Sequence, residues 1–255
     1  MKKVRRMLIG SLIVLVILSG LYAFLLPEFT RGMLIRWSVF KEVSPHVFVH
    51  PEAPRADVDS LMVLLDSARL RNDAFWGERK WHGNIIYCHT EGLMAAYAPD
   101  GNGSLPGAFL FSPIASQIIL GPNGLQADIV SHELSHPEFF VRVGWLPFQT
   151  SIPVWFYEGL GMQVDNRSYY SESAWLAATN QGKKAPKLTN LESLEQFFGR
   201  DSQLTYGTAK REVRRWLSIV GKDGLDDLIE QISWQADFMS LYQQIETAAK
   251  LPDKP

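Results

Sequence analysis

Two histidines and a glutamate in the stretch ADIVSHELSHPEFF, residues 127–140, are spaced for metal chemistry. His132 and His136 are four residues apart, so on a helix both imidazoles lie on one face and can bind the same ion. Glu133 directly follows His132 and projects beside that ion, where its carboxylate can take a proton from bound water. Because zinc lowers the pKa of such a water toward about 7, the pattern suits hydrolysis at neutral pH.

A catalytic zinc takes three protein ligands and keeps one position open, so HELSH needs a third ligand. Glu158, in SIPVWFYEGLG at residues 151–161, lies on a second predicted helix that Pro153 can open. Its neighbours are apolar on nearly every side of that helix, so its carboxylate is expected to be buried and to need a partner. One Zn²⁺ per chain, bound by His132, His136 and Glu158, would be that partner.

Each of these residues also has an ordinary structural explanation. HExxH arises by chance in about one chain in a hundred of this length, and it also describes a polar helix face. Glu158 could equally be a solvated glutamate on the surface of its helix. The other histidines show no paired spacing, and ordinary surface or core positions are predicted for all of them: His46, His50, His82 and His89.

HELSH followed by PVWFYEGLG resembles the gluzincin metallopeptidases, and in particular the minimal peptidase MA-like group related to the aminopeptidases. Members of that group share HExxH and a downstream W-x-x-EGLA-like helix that supplies the third ligand. The resemblance covers about residues 84–235, with its specific part confined to 128–161. It implies that the two histidines of HELSH and Glu158 are zinc ligands and that Glu133 is the general base.

Two further features are implied by the same resemblance. SQIILGP, residues 116–122, is expected to contain an edge strand that pairs with extended substrate just before the metal helix. The stretch 205–232 is similar to a later helix of the family, which often begins with a tyrosine that hydrogen-bonds the oxyanion of the attacked carbonyl. Tyr206 is therefore a candidate catalytic residue. It also belongs to an apolar helical stripe, where an aromatic side chain is more often part of the core.

Three departures from the family pattern concern the site. Pro137 follows the second histidine, so the helix is expected to kink there or to end at His136. EGLG replaces the commoner EGLA, which is expected to loosen that helix slightly. Met162 stands four residues after the glutamate ligand, where thermolysin-like enzymes carry an aspartate that orients a histidine; Asp128 and Asp165 are candidates for that task.

The N-terminal segment is predicted to anchor the chain in a membrane. Basic residues crowd the first six positions, and an uncharged apolar run from Met7 to Leu26 follows, long enough to cross about 30 Å of hydrocarbon. Leu21-Tyr22-Ala23 lacks a small residue two places before Ala23, which favours a retained signal-anchor over cleavage. The charge balance favours a single-pass protein of the cytoplasmic membrane, with its large domain on the extracytoplasmic side.

Composition excludes several classes of protein. The chain has 255 residues, and its formal net charge of -2 gives no electrostatic reason to expect nucleic acid as a partner. Its single cysteine, Cys88, excludes an internal disulfide and a cysteine-rich structural zinc module.

Hydrophobic periodicity predicts an α+β fold, with strands first and helices second and without alternating βαβ units. An amphipathic helix is predicted over residues 56–74, and helices are predicted to dominate from residue 125 onward. The predicted strands are short and lie at 47–49, 84–89, 107–111 and 116–120. The predicted domains are a cytoplasmic tail and transmembrane anchor (1–27) and a zincin-like domain (28–255), with a small strand-containing lobe (about 28–124) and a helical lobe (about 125–255).

The sequence therefore predicts a membrane-anchored zinc metallopeptidase that acts on peptides or proteins. Two alternatives stay open: a catalytically inactive relative that serves as an anchored interaction or assembly module, and a chance match in an unrelated domain. An intramembrane protease is excluded, because the helix around HELSH is too short and too polar to span lipid. The retention of Glu133 beside both histidines favours the enzyme, since a structural zinc needs no base.

Overall fold

The computed structural model describes residues 2–251 and shows a mostly helical chain with one mixed sheet. In chain order the helices are α1 (Lys2–Leu25), α2 (Pro27–Met33), α3 (Arg55–Trp76), α4 (Glu91–Tyr97), α5 (Ala127–Val143), α6 (Trp145–Thr150), α7 (Val154–Gly161), α8 (Glu172–Ala178), α9 (Leu194–Phe198), α10 (Ser202–Gln231) and α11 (Phe238–Lys250). The strands are β1 (Lys41–Ser44), β2 (Val47–Val49), β3 (Asn84–Tyr87), β4 (Gly107–Phe111) and β5 (Ser116–Leu120). Short 3₁₀ turns lie at Ile35–Trp37, Pro99–Gly101, Pro122–Gly124, Ser168–Tyr170 and Leu188–Asn190. The predicted α+β class is confirmed.

The chain divides into two compact units. The first contains the sheet and is formed by the chain up to residue 58, by 83–111 and by 115–123. The second is helical and is formed by 59–82, by 112–114 and by the chain from residue 124 onward. Most of α3 therefore belongs to the helical unit, although strands flank it in the sequence.

The sheet has the strand order β1-β2-β3-β5-β4. The expectation that residues 116–122 contain an edge strand is wrong, because β5 lies between β3 and β4 and is hydrogen-bonded on both sides. The physical reason is that β4 and β5 follow each other closely along the chain and pair as an antiparallel hairpin. Within the described sheet, β4 and β1 are the edge strands.

The strand directions also differ from expectation. β2, β3 and β5 run parallel to one another, and only the outer pairs, β1 with β2 and β4 with β5, are antiparallel. Parallel neighbours require crossover connections, and α3 lies in the crossover from β2 to β3. The described residues thus contain a helical crossover between the parallel strands β2 and β3 but no regular alternating series of βαβ units. Hydrophobic periodicity did not predict this crossover, because it indicates each element but not the direction in which two strands pair.

The core of the first unit lies on the parallel strands. Nearly all side chains of β2, β3 and β5 are buried, as expected for strands that are covered on both faces. Cys88 follows β3 directly and is fully buried. It belongs to an apolar cluster of Ile35, Phe40, Phe48, Ile86, Cys88, Met94, Tyr97, Ala98 and Ile119.

Helix α7 is the central element of the second unit and packs against both α5 and α10. Trp155 and Phe156 are completely buried, and the ring of Phe156 lies 5.8 Å from that of Trp216 on α10. Gly159 permits this close approach, because a Cβ at that position would lie 2.7 Å from the backbone oxygen of Ala209. The apolar character of VWFYEGLG thus reflects a helix surrounded by other helices.

Helix α1 covers most of the predicted anchor, 1–27. Among the residues that the structure describes, no helix has the length and apolar character needed to span a membrane. This finding does not support the predicted transmembrane segment. Met1 and residues 252–255, at the ends of the two predicted domains, lie outside the described residues.

We expect the only thiol of the chain to resist alkylation in the folded protein. Burial raises the pKa of Cys88 to about 12, whereas an exposed cysteine has a pKa of about 8.5. At pH 8.5 the thiolate fraction should therefore be about a thousandfold lower in the folded protein than in the unfolded chain. Intact-mass measurements during iodoacetamide treatment, with and without denaturant, test this expectation. Equal rates under the two conditions would contradict it.

Candidate metal centre

Polar contacts from α3 fix the rotation of α5, the helix that carries HELSH. The side-chain amide of Asn72 donates to the backbone oxygen of Ser131 at 2.9 Å, and the indole N–H of Trp76 donates to the hydroxyl of Ser135 at 3.1 Å. Each of these serines directly precedes one of the two histidines. Because successive helical residues are about 100° apart, holding the serines also sets the direction in which the imidazoles project.

Helix α5 continues through Pro137, which is buried inside it. Of the two outcomes expected at Pro137, a kink or an end at His136, the structure excludes the end. Proline removes one backbone donor and costs about 3 kcal/mol within a helix, so other contacts must hold the following turn. Glu138 supplies them: its carboxylate accepts the backbone N–H groups of Lys80 and Trp81 and pairs with Arg142. Tertiary contacts thus keep His136 in a helical position.

Glu158 is carried by α7, whose first turn is completed by another part of the chain. Pro153 precedes the helix, and no side chain caps it. The backbone N–H groups of Val154 and Trp155 instead donate to the carbonyls of Glu192 and Leu191, at 2.9 and 3.1 Å. These bonds satisfy donors that would otherwise be unpaired at a buried helix start.

The three predicted ligands, His132, His136 and Glu158, meet in the interior of the second unit. All are buried, and one ligand atom from each lies within 4.8 Å of the others. The Oε2 atom of Glu158 is 3.1 Å from Nε2 of His132 and 3.7 Å from Nε2 of His136. Two ligand atoms on a tetrahedral ion with bonds of about 2.0–2.1 Å lie about 3.3 Å apart. The group can therefore hold a metal ion with little movement.

Burial and mutual charge set the protonation of these ligands. Burial lowers the pKa of His136 to about 4, so this imidazole is neutral at pH 7 and its lone pair is available. For His132, burial acts in the same direction, but the hydrogen bond and charge of Glu158 outweigh it and raise the pKa. Burial would raise the pKa of Glu158, yet the two histidines and a hydrogen bond from Tyr206 lower it. Glu158 is therefore a carboxylate, the form that binds metal.

Glu133 is buried in the same site and has a distinct electrostatic character. Burial raises its pKa to about 7, partly offset by the charge of His132, while the negative charge of Glu158 raises it further. A carboxyl group with a pKa near neutrality can both accept and release a proton at physiological pH. The pKa of Glu133 is therefore raised while that of Glu158 is lowered. Such a difference is common where one carboxyl group transfers protons and another stays ionised to balance positive charge.

Asp165, and not Asp128, is the acid beside a histidine. Its Oδ2 atom lies 3.9 Å from Nδ1 of His132. Its carboxylate is fully buried and accepts hydrogen bonds from the guanidinium of Arg167. The Nζ atom of Lys210 donates to its backbone oxygen at 2.5 Å. Asp128 is engaged elsewhere, with Arg71 and with the backbone N–H of residue 166.

Two tyrosines border the metal ligands. The ring of Tyr206 lies 5.8 Å from that of His132, and its hydroxyl helps to lower the pKa of Glu158. The ring of Tyr157 lies 5.6 Å from that of His136. Burial raises the pKa of both phenols well above the usual value, so both stay protonated and able to donate. Tyr206 also packs against the rings of Tyr170 and Phe197. It is therefore part of the aromatic core and at the same time lies beside the candidate ligands.

The glycine that replaces alanine in EGLG has a steric reason. A Cβ at Gly161 would lie 2.9 Å from Cε1 and 3.0 Å from Nδ1 of His132. Such contacts are too close for an alanine, so the first histidine ligand and this helix can approach only because the side chain is absent. The sequence pattern predicted only a slightly looser helix and did not indicate that the ring of His132 needs this space.

The structure brings together every residue that the sequence singled out for chemistry: His132, Glu133, His136, Glu158 and Tyr206. Sequence reasoning missed Tyr157, although its place next to Glu158 was a usable signal. It also missed Arg167 and Lys210, whose contacts with Asp165 depend on distant parts of the chain. No family model matches this chain, and comparisons with curated proteins and with solved structures find no match to it either. The chemistry of the site is therefore inferred from its own residues.

We expect Gly161→Ala to weaken metal binding by about tenfold or more, because the added methyl group must displace the ring of His132. The affinity can be measured by competition with a chromophoric zinc chelator. Gly92→Ala is a matched control, because Gly92 also lies in a helix but a Cβ there would have nothing within 4 Å. Equal affinities of the two variants would show that His132 is not held by this contact.

Proposed function

We propose that this protein is a zinc-dependent peptidase of the gluzincin type. The proposal is carried by one observation: three buried ligands from two helices, His132, His136 and Glu158, have converged within 4.8 Å, with Glu133 buried beside them. Burying that many ionisable groups costs several kcal/mol of folding free energy unless an ion or a hydrogen-bond network compensates them. Such a cluster is more readily explained by a metal-dependent reaction than by stability.

The donor set favours zinc among common cations. Two imidazoles and one carboxylate suit a borderline divalent transition metal, whereas magnesium and calcium prefer oxygen ligands throughout. Three protein ligands also leave a fourth tetrahedral position for water or substrate, while structural zinc sites are usually closed by four protein ligands.

The residues divide the work of hydrolysis among themselves. When bound, the metal would supply a Lewis acid that makes water more acidic and polarises a carbonyl group. The carboxylate of Glu133 would take a proton from the attacking water and deliver it to the leaving amine. The hydroxyl of Tyr206 would turn its single O–H from Glu158 to donate a hydrogen bond to the oxyanion. Asp165, held by Arg167, places its negative charge 3.9 Å from the far ring nitrogen of His132.

Peptide bonds are the proposed substrate because HELSH and the downstream EGLG helix resemble the gluzincins. The alternative, an inactive anchored module, drew its support from Pro137. That support is weakened, since α5 continues through Pro137 and its histidine stays beside Glu158. The cytoplasmic membrane and the extracytoplasmic side stay predictions from the sequence.

We expect Glu133→Gln to keep the metal and to lower peptide hydrolysis by about 10²–10⁴-fold, because the amide cannot act as a base. Metal content is measured by elemental mass spectrometry, and activity with a library of quenched fluorescent peptides. Glu195→Gln, a change at an exposed glutamate of α9, should leave both quantities at the wild-type level. Activity that survives Glu133→Gln at equal metal content would overturn the mechanism.

We expect Tyr206→Phe to lower kcat by about 10²-fold with little effect on KM, because one donor to the oxyanion is lost. Tyr157→Phe is the matched control: it removes a phenol next to the other histidine, and its kcat should stay within a few fold of the wild type. Metal content is checked in both variants, since Tyr206 also hydrogen-bonds Glu158. If Tyr157→Phe gives the larger loss, the oxyanion donor has been assigned to the wrong tyrosine.

A further inference from the structure

A second group of metal-binding side chains lies in the first unit. His50 follows β2 directly, and His89 comes two residues after the end of β3, while Glu52 lies in the turn after His50. Because β2 and β3 are parallel neighbours, with Val49 opposite Tyr87, the two histidines emerge at the same edge of the sheet. The ordinary positions predicted for His50 and His89 gave no reason to expect them together.

The ligand atoms of this group are slightly farther apart than they would be around a bound cation. One ligand atom each from His50, Glu52 and His89 lies within 4.8 Å of the others. The two rings have centroids 5.3 Å apart and are tilted by 31°, and Nδ1 of His50 lies 3.9 Å from Oε2 of Glu52. Two ligands of a tetrahedral zinc are about 3.3 Å apart, so small side-chain rotations would bring this set into range.

A buried nitrogen provides a second, independent indication. The Nδ1 atom of His89 is shielded from solvent and has no hydrogen-bond partner among the described residues. An unsatisfied buried polar atom costs about 1–3 kcal/mol and calls for an explanation. A cation bound at Nδ1 would satisfy this atom directly.

The remaining contacts of His50 are compatible with binding. Its side chain is 16% exposed, and its ring lies against Phe40, with centroids 5.4 Å apart, which limits the ring's motion. Its Nδ1 atom accepts the backbone N–H of Glu52 at 3.3 Å, a length at the weak end for such a bond. A cation at this nitrogen would therefore displace little. The carboxylate of Glu52 is 82% exposed and free to swing toward the rings.

We propose that His50, Glu52 and His89 form a second binding site for a divalent transition cation of the zinc class. Two imidazoles and a carboxylate are the same donor types as in the first site, but here water can complete the coordination because Glu52 is exposed. The site joins the ends of two parallel strands, and it binds more weakly than the buried centre. It does not depend on the proposed peptidase activity.

The test uses the full chain, stripped of metal with a chelator and then dialysed against zinc chloride at pH 7.5. We expect two zinc ions per wild-type chain, one in His132→Ala, one in His89→Ala and none tightly bound in the double variant. Glu52→Ala, at an exposed turn position that cannot disturb the core, should weaken the second ion by about tenfold. His82→Ala, at an exposed histidine outside both groups, should still bind two.

Cobalt chloride gives an independent measurement, because its visible absorption reports the ligands of each ion. In His132→Ala, an absorption band that is lost on the further change Glu52→Ala would support the second site. If His132→Ala binds no ion while His89→Ala binds as many as the wild type, the second site does not exist. If instead the wild type binds one ion and His89→Ala removes it, the second site holds and the proposed peptidase centre fails.

Discussion

A carboxylate that leaves water for a protein interior needs positive charge or hydrogen-bond donors close by, and Glu158 has two imidazoles and a phenol around it. The helices of the second unit are arranged so that this need is met. α5 brings both histidines, α10 brings Tyr206, and α7 carries the glutamate between them. Removing the two histidines of α5 would leave the buried charge of Glu158 without most of its compensation, at a cost of several kcal/mol.

Several contacts outside the ligand set hold the candidate ligands in place. The serines next to the histidines are held by α3, the turn after Pro137 is held by Glu138, and Gly161 gives His132 the room that it needs. Each contact restricts one degree of freedom: the rotation of α5, the path of its last turns, and the distance between two helices. A metal centre requires ligand atoms within a few tenths of an ångström of their final positions, and such contacts provide that precision.

The sequence predicted the ligands better than it predicted their surroundings. HExxH and the buried character of the helix around Glu158 are local patterns, so the ligands and the candidate base could be named before the fold was known. The interior position of β5 and the parallel pairing of β2 with β3 could not be predicted, because strand pairing is decided by contacts between distant segments. Pro137 shows the same limit, since proline alone predicts a break that Glu138 prevents. The grouping of His50 with His89 likewise depends on the register of two strands.

The hydrogen bonds at the start of α7 bear on when the candidate site can form during synthesis of the chain. Its first two backbone donors are bonded to the carbonyls of Leu191 and Glu192, which are synthesised well after the helix itself. A nascent chain that ends before this segment therefore holds all three candidate ligands but lacks the acceptors that fix the start of the helix bearing the third. An early-arriving ion would meet a pair of histidines and an untethered glutamate. If the proposed metal centre forms, its full affinity requires the later segment at residues 191–192, so it would be reached only after most of the second unit has been made.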